Sequence, residues 1–143
     1  MTIVRQILAN KGNQVWSVDP NDLVIDALRL MADKRIGALM VMANDRVIGI
    51  FSERDYARKV ILEGKSSATT RVGEIMTRDV ISVNPDHTVE DCMTIMTENR
   101  VRHLPVYDDD KVIGVISIGD VVKTVIQDKQ FMIEQLEQYI TGS

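Results

Sequence analysis

The chain is poor in aromatics, has one cysteine and carries no surplus of positive charge. Aromatic residues make up 4% of its 143 positions, so any core must be built from Val, Ile, Leu, Met and Ala. Cys92 is the single cysteine, which excludes an intramolecular disulfide. It falls on an apolar helix face, where a buried, inert thiol is expected. The net charge of −4 excludes the broad basic face that general nucleic-acid or anionic-membrane binding requires, but leaves room for a local cationic pocket. No apolar run approaches the ~20 residues of a membrane span. Met1–Gln6 lacks the basic-then-apolar layout of a secretory signal. A cytoplasmic protein with no nucleic-acid and no membrane partner is expected.

Catalytic signatures are also missing. The two histidines, His87 and His103, lack metal-ligand spacing. There is no Gly-x-Ser-x-Gly, no phosphate-binding Gly-x-x-x-x-Gly-Lys and no Gly-x-Gly-x-x-Gly. Asp108-Asp109-Asp110 has Ala43-Asn44-Asp45 as its counterpart and reads as a turn, not a cation site. Neither a metal, a catalytic cofactor nor enzymatic activity is expected.

What is present is a duplication. Val47-Ile48-Gly49-Ile50-Phe51-Ser52-Glu53-Arg54-Asp55 returns 65 positions later as Val112-Ile113-Gly114-Val115-Ile116-Ser117-Ile118-Gly119-Asp120. The offset holds without a gap from Val15/Val80 to Val60/Val125, and 17 of the 46 pairs are identical, which makes coincidence untenable. Upstream, Val4, Ile7 and Leu8 are echoed by Val72, Ile75 and Met76, and the first copy carries three extra residues near Lys11-Gly12-Asn13. Two copies do not make a solenoid, which needs at least about three units.

Each copy reads β-α-β-β-α. A short helix capped by Thr2 precedes strand Val15–Val18. A helix with Val24, Ala27, Leu28 and Met31 on one face follows, capped by Asp22. Strands Ile36–Met42 and Val47–Phe51 flank the Asn44-Asp45 turn. The last helix carries Tyr56, Ala57, Val60 and Ile61. In the second copy Val80–Val83 is the first strand. The expected class is α/β (α+β), with two repeats packed about a pseudo-two-fold axis and clefts between them. The expected division is residues 1–64, a linker at 65–71, residues 72–127, and a helical extension at 128–143. There Ile126, Ile133, Leu136 and Ile140 form an apolar stripe that could pack on the module or meet a second subunit.

Ser52-x-x-Asp55 and Ser117-x-x-Asp120 fit a reciprocal helix cap, which accounts for the residue types by itself. Their recurrence at one offset points further. A helix start suits phosphate, and a carboxylate there can accept both hydroxyls of a ribose diol. The first copy adds the cations Arg54, Arg58 and Lys59. The second has Gly119, Lys123 and Thr124 instead, but offers Arg102 and His103 where the first has Gly37 and Ala38. Two related, unequal anion sites are expected.

The pattern resembles the cystathionine-β-synthase (CBS) domain, and the tandem resembles a CBS pair, or Bateman module. The resemblance rests on Ser-Val-x-Pro at Ser17–Pro20 and Ser82–Pro85, Arg-His-Leu-Pro-Val at Arg102–Val106, the doubled Val-Ile-Gly-x-x-Ser-x-x-Asp, and Ile-Met-Thr at Ile75–Thr77. It implies an adenine-nucleotide ligand such as AMP, ATP or NAD, a homodimer, and regulation of an effector protein. It implies ribose at Asp55 and Asp120; phosphate near Ser52, Arg54, Ser117 and Gly119; and a base flanked by Gly37, Ala38, Arg102, His103 and Pro105. Val15, Ser17, Ile81 and Ser82 would line the pockets at the start of each repeat. Leu23 stands where the second copy keeps Thr88, and Met40 where it keeps Pro105. Arg54, Arg58, Lys59 and the extra Lys11-Gly12 segment favour the first copy's cleft for the longer ligands.

Overall fold

The computed structural model describes residues 1–142. The elements run α1 (Val4–Lys11), β1 (Ser17–Val18), α2 (Val24–Lys34), β2 (Ala38–Ala43), β3 (Arg46–Ser52) and α3 (Glu53–Tyr56), which continues as a π-helical turn (Ala57–Ile61). The second half holds α4 (Val72–Ile75), α5 (Val89–Asn99), β4 (His103–Asp108), β5 (Lys111–Ser117) and α6 (Ile118–Thr141). The fold is mixed α+β with one small sheet per half. No described helix is long and apolar enough to cross a membrane.

The duplication extends to backbone register. Ala38 faces Ser52 in the first hairpin and His103 faces Ser117 in the second; bulges fall at Val41/Met42 and Val106/Tyr107. Asn44 (φ 52°) and Asp109 (φ 54°) take the left-handed turn conformation that a tight hairpin demands and that Asn and Asp tolerate. Ser52, Ser117 and Thr88 each form a reciprocal cap with an acid three residues on.

The halves differ in their first strand. β1 runs parallel to β2, extended by the Met40 N–H to Trp16 carbonyl bond (3.1 Å). The expected strand at Val80–Val83 shrinks to one bridge between Val83 and Val106. The cause is Pro105. It occupies the position of Met40 but has no N–H to offer Ile81.

Two expected caps are replaced. α2 begins at Leu23 with no side-chain cap; Asp22 instead accepts the Asp19 N–H. The first free N–H groups of α2, on Val24 and Ile25, donate to the carbonyls of Thr70 (2.9 Å) and Ser67 (3.0 Å). The linker-like segment is thus the cap, answering donors that every helix start leaves open. Thr2 does not cap α1 either: its hydroxyl donates to Asp128 on α6 at 2.7 Å.

The cores do not follow chain order. Val4, Ile7 and Leu8 of α1 are buried among Val83, Val89, Cys92, Met96, Leu104, Val106, Ile116 and Val121 of the second half. Val72, Ile75 and Met76 at α4 are buried among Val24, Ala27, Met31, Leu39, Val41, Phe51 and Val60 of the first. Each leading helix crosses to the other repeat. Val4 N–H donates to His87 O (2.8 Å) and Val72 N–H to Asp22 O (2.9 Å).

The repeated glycine makes this crossing possible. A Cβ on Gly49 would stand 2.5 Å from Met76 Sδ and 3.0 Å from Thr77 O; one on Gly114 would stand 2.7 Å from Leu8 Cδ2. Only glycine lets the exchanged helix lie this close to its strand.

Candidate functional site: two crossed clefts

Because the leading segments cross over, each cleft is built from both repeats. The first has a volume of about 510 Å³. The β3–α3 junction forms one wall with Ile50, Ser52, Arg54, Asp55, Arg58 and Lys59; the other is formed by Thr77, Asp79, Ile81 and residues Arg100–His103. Asp55 is almost fully buried, its side chain 8% exposed. Its Oδ2 accepts the Ser52 N–H (2.9 Å) and hydroxyl (3.0 Å). Its Oδ1 accepts the Thr77 hydroxyl (2.9 Å) and lies 3.0 Å from Lys59 Nζ. Thr77 is fixed by a pair of backbone bonds with Ile50, both 2.9 Å. Four arginines, Arg54, Arg58, Arg100 and Arg102, line this cleft against Glu53 and Asp79.

The second cleft, about 330 Å³, is lined by Lys11, Gln14, Trp16, Ile36, Gly37, Ala38, Met40, His103, Val115 and Ser117. Asp120 lies behind this lining. Its Oδ2 accepts the Ser117 N–H (2.8 Å) and an ion-pair hydrogen bond from Lys11 Nζ (2.7 Å). Burial pushes the Asp120 carboxyl up, but the Lys11 ammonium and the Ser117 donors outweigh it and hold the group below the ordinary carboxylate range. Lys11 Nζ also donates to Val115 O at 2.8 Å. One ammonium therefore does at Val115 and Asp120 what Thr77 does at Ile50 and Asp55 with its backbone N–H and its hydroxyl. It reaches there because α1 spans eight residues where α4 spans four.

His103 lines both clefts. Burial first, and the Lys11 charge second, hold its imidazole below the usual histidine range, which disfavours the charged form.

The structure gathers Ser52, Arg54, Asp55, Arg58, Ile81 and Arg102 around the first cleft, Ala38 and Ser117 around the second, and Gly37 and His103 at both. Val15, Ser17, Ser82, Pro105, Gly119 and Asp120 lie outside both linings, Asp120 reaching the second only through its bonds to Lys11 and Ser117. On the extended segments the alternate residues Trp16 and Ile81 face the clefts instead, as strand geometry requires. Pro105 is buried within β4, and Gly119 borders a shallow depression along α6 with Val122 and Ile126.

Two assignments are corrected. Arg102, credited to the second acid, lines the cleft of Asp55. Lys11, credited to the first cleft, bonds Asp120. Lys11 reverses because its helix α1 packs on the second repeat, and Arg102 because the start of β4 lines the cleft of the β3–α3 junction. Sequence reading passed over Trp16, Gln14, Arg100 and Thr77. Trp16 and Gln14 were legible as the 65-residue counterparts of Ile81 and Asp79, and Thr77 stood in the Ile-Met-Thr motif without a role.

The chain matches the CBS domain over residues 4–62 and again over 72–127. It is 38% identical over 151 residues to "CBS domain-containing protein CBSX3, mitochondrial" of Arabidopsis thaliana, covering 99% of this chain and 73% of the relative. That name carries a compartment other than the cytoplasm expected above. A solved protein with CBS domains from Burkholderia ambifaria MC40-6 is 55% identical, superposes with a TM-score of 0.85, and covers 89% of this chain and 96% of its own. The CBS domain pair of protein MJ0100, crystallised with 5′-methylthioadenosine and S-adenosyl-L-methionine, shares the fold with a TM-score of 0.79 at 24% identity, covering 90% of this chain and 98% of its own.

Proposed function

The chain belongs to the CBS-domain family, and from that premise we propose that it is a non-catalytic regulatory module that binds an adenine nucleotide in the Asp55 cleft. One observation carries this reading: Asp55, Arg54, Arg58 and Arg102, drawn from both repeats, line one cavity of about 510 Å³. A carboxylate flanked by arginines matches a ribose beside phosphates. Ile81 and Val101 offer the apolar lining that an adenine ring needs. The cavity volume and the four arginines suit AMP, ATP or NAD.

Because both walls come from different repeats, a ligand that bridges them favours one relative packing over another. That differential affinity is what a sensor requires. The readers of the change are a second copy of the chain and an effector protein. A second copy is supported by the exposed apolar stripe on α6, where Ile133 is 48% and Leu136 55% exposed. A second reading, an assembly module with vestigial pockets, draws on the fact that both acids already have protein partners.

Calorimetric titration with AMP, ATP, NAD and S-adenosylmethionine separates the two. Binding by the wild type that weakens at least about tenfold in Asp55→Asn, with an unchanged fold by circular dichroism, supports the sensor. No binding of any of the four to folded wild type leaves the assembly module.

A further inference from the structure

The Asp120 cleft is the less explained of the two. Its helix α6 carries Gly119 and Thr124 where the first copy has Arg54 and Lys59, and Trp16 lines it where Ile81 lines the first cleft. Among its lining residues Lys11 is the only formally charged side chain besides the titratable His103, whose charged form is disfavoured by burial and by Lys11 itself. Lys11 comes from the exchanged helix α1, which is anchored in the second core through Val4, Ile7 and Leu8. Its backbone is therefore fixed and only its side chain is free to swing. Its side chain is 33% exposed; Lys11 lines the cavity and its ammonium bonds Asp120, which the lining does not include.

We infer that Lys11 is the specificity-determining residue of the Asp120 cleft and makes it select phosphorylated over unphosphorylated adenosine. This rests on the nucleotide reading above and deepens it. A neutral nucleoside offering its diol to Asp120 Oδ2 competes there with the Lys11 ammonium, which also holds Val115 O, and brings no anionic group to receive it. A ligand with a sulfonium, such as S-adenosylmethionine, adds like charge beside it. A nucleotide brings its own acceptor: Lys11 turns from Asp120 to the phosphate, and the diol takes the vacated oxygen. Both the ion pair broken and the one formed are charge-assisted, so the exchange is balanced only when the ligand is anionic.

Trp16 makes this testable in one cleft alone. It is the only tryptophan in the chain and it lines the Asp120 cleft. Trp16 emission is followed while wild type, Lys11→Met and Lys11→Arg are titrated with AMP and with adenosine, and total binding is measured in parallel by calorimetry. The expected result is a preference for AMP of at least about tenfold in the wild type, retained in Lys11→Arg and falling toward unity in Lys11→Met through tighter adenosine binding. Circular dichroism and melting of Lys11→Met confirm that the variant is folded, with Lys11→Arg as the charge-conserving control. An AMP-to-adenosine ratio unchanged in folded Lys11→Met overturns the inference. So does calorimetric AMP binding with no response of Trp16, which leaves the Asp55 site standing. Absence of binding by both methods overturns the nucleotide reading itself.

Discussion

Asp55 and Asp120 occupy equivalent positions and cap equivalent helices, but they are held by different partners. Asp55 is held by Thr77 and by Lys59 one turn along its own helix. Asp120 is held by Lys11 from the far end of the chain. The consequence for pH follows from the direction of the Asp120 shift. Its folded value lies below the unfolded one, so the native state is favoured wherever the unfolded chain binds the proton more readily. That stabilisation is complete above the unfolded carboxylate value of about 3.9 and is lost as pH falls through the lower folded value. Lys11→Met removes the cation and leaves the burial. The variant is expected to be less stable by about 0.5–1 kcal/mol at pH 6, a modest figure because both partners are partly solvated. The gap narrows toward pH 3. Urea denaturation of both proteins across that range checks it; a gap independent of pH would show that the ion pair does not set the Asp120 titration.

At the scale of elements, the doubled Val-Ile-Gly serves the crossing of α1 and α4 rather than the ligand. Gly114 faces Leu8, which is buried in the second core and 4% exposed. Gly114→Ala is expected to destabilise by about 1–3 kcal/mol through overpacking, with a lowered urea midpoint and an unchanged m-value. Leu8→Ala in the same protein should relieve the clash, so the double mutant is less destabilised than the sum of the two singles. Strict additivity would show that the two positions do not touch. The same contact explains why the glycine recurs at the 65-residue offset while the residues beside it drift. Ile50 and Phe51 become Val115 and Ile116, because apolar volume is exchangeable there and a missing Cβ is not.

At the scale of the whole molecule, the exchange of leading helices ties the halves into one folding unit. Residues 1–64 contain α1 without the core that buries it, and lack the α4 that completes their own. Each half alone is expected to be unfolded by circular dichroism, and an equimolar mixture of 1–64 and 65–143 to regain the spectrum of the intact chain. A cooperative melt of either fragment alone would show that the crossing is not required. Beyond the second core, α6 continues to Thr141 with Ile126, Phe131, Ile133, Leu136 and Ile140 exposed. A stripe of that size is uncommon on a monomer. Light scattering at micromolar concentration is expected to give the mass of a dimer, and Ile133→Glu with Leu136→Glu that of a monomer. A wild-type monomer would remove the second copy from the functional reading.

Composition, period and offset were enough to determine that the chain is two α+β repeats related by a pseudo-symmetry, and that Ser-x-x-Asp caps open the two equivalent helices. These properties are local or periodic: a 65-residue offset preserves strand register, turn and cap because each depends on near neighbours in sequence. Which residues share a cleft was decided only by tertiary structure. The offset says that Arg102 corresponds to Gly37, but not that it crosses to the acid of the other repeat. The three extra residues near Lys11 mark a difference, but not that they let one ammonium stand in for Thr77 at Val115 and Asp120. Both depend on contacts between segments distant in sequence, the second on where the leading helix α1 packs. Two cores of similar apolar residues could each have accepted either helix, so that choice lies in complementary packing between segments distant in sequence, not in any one segment.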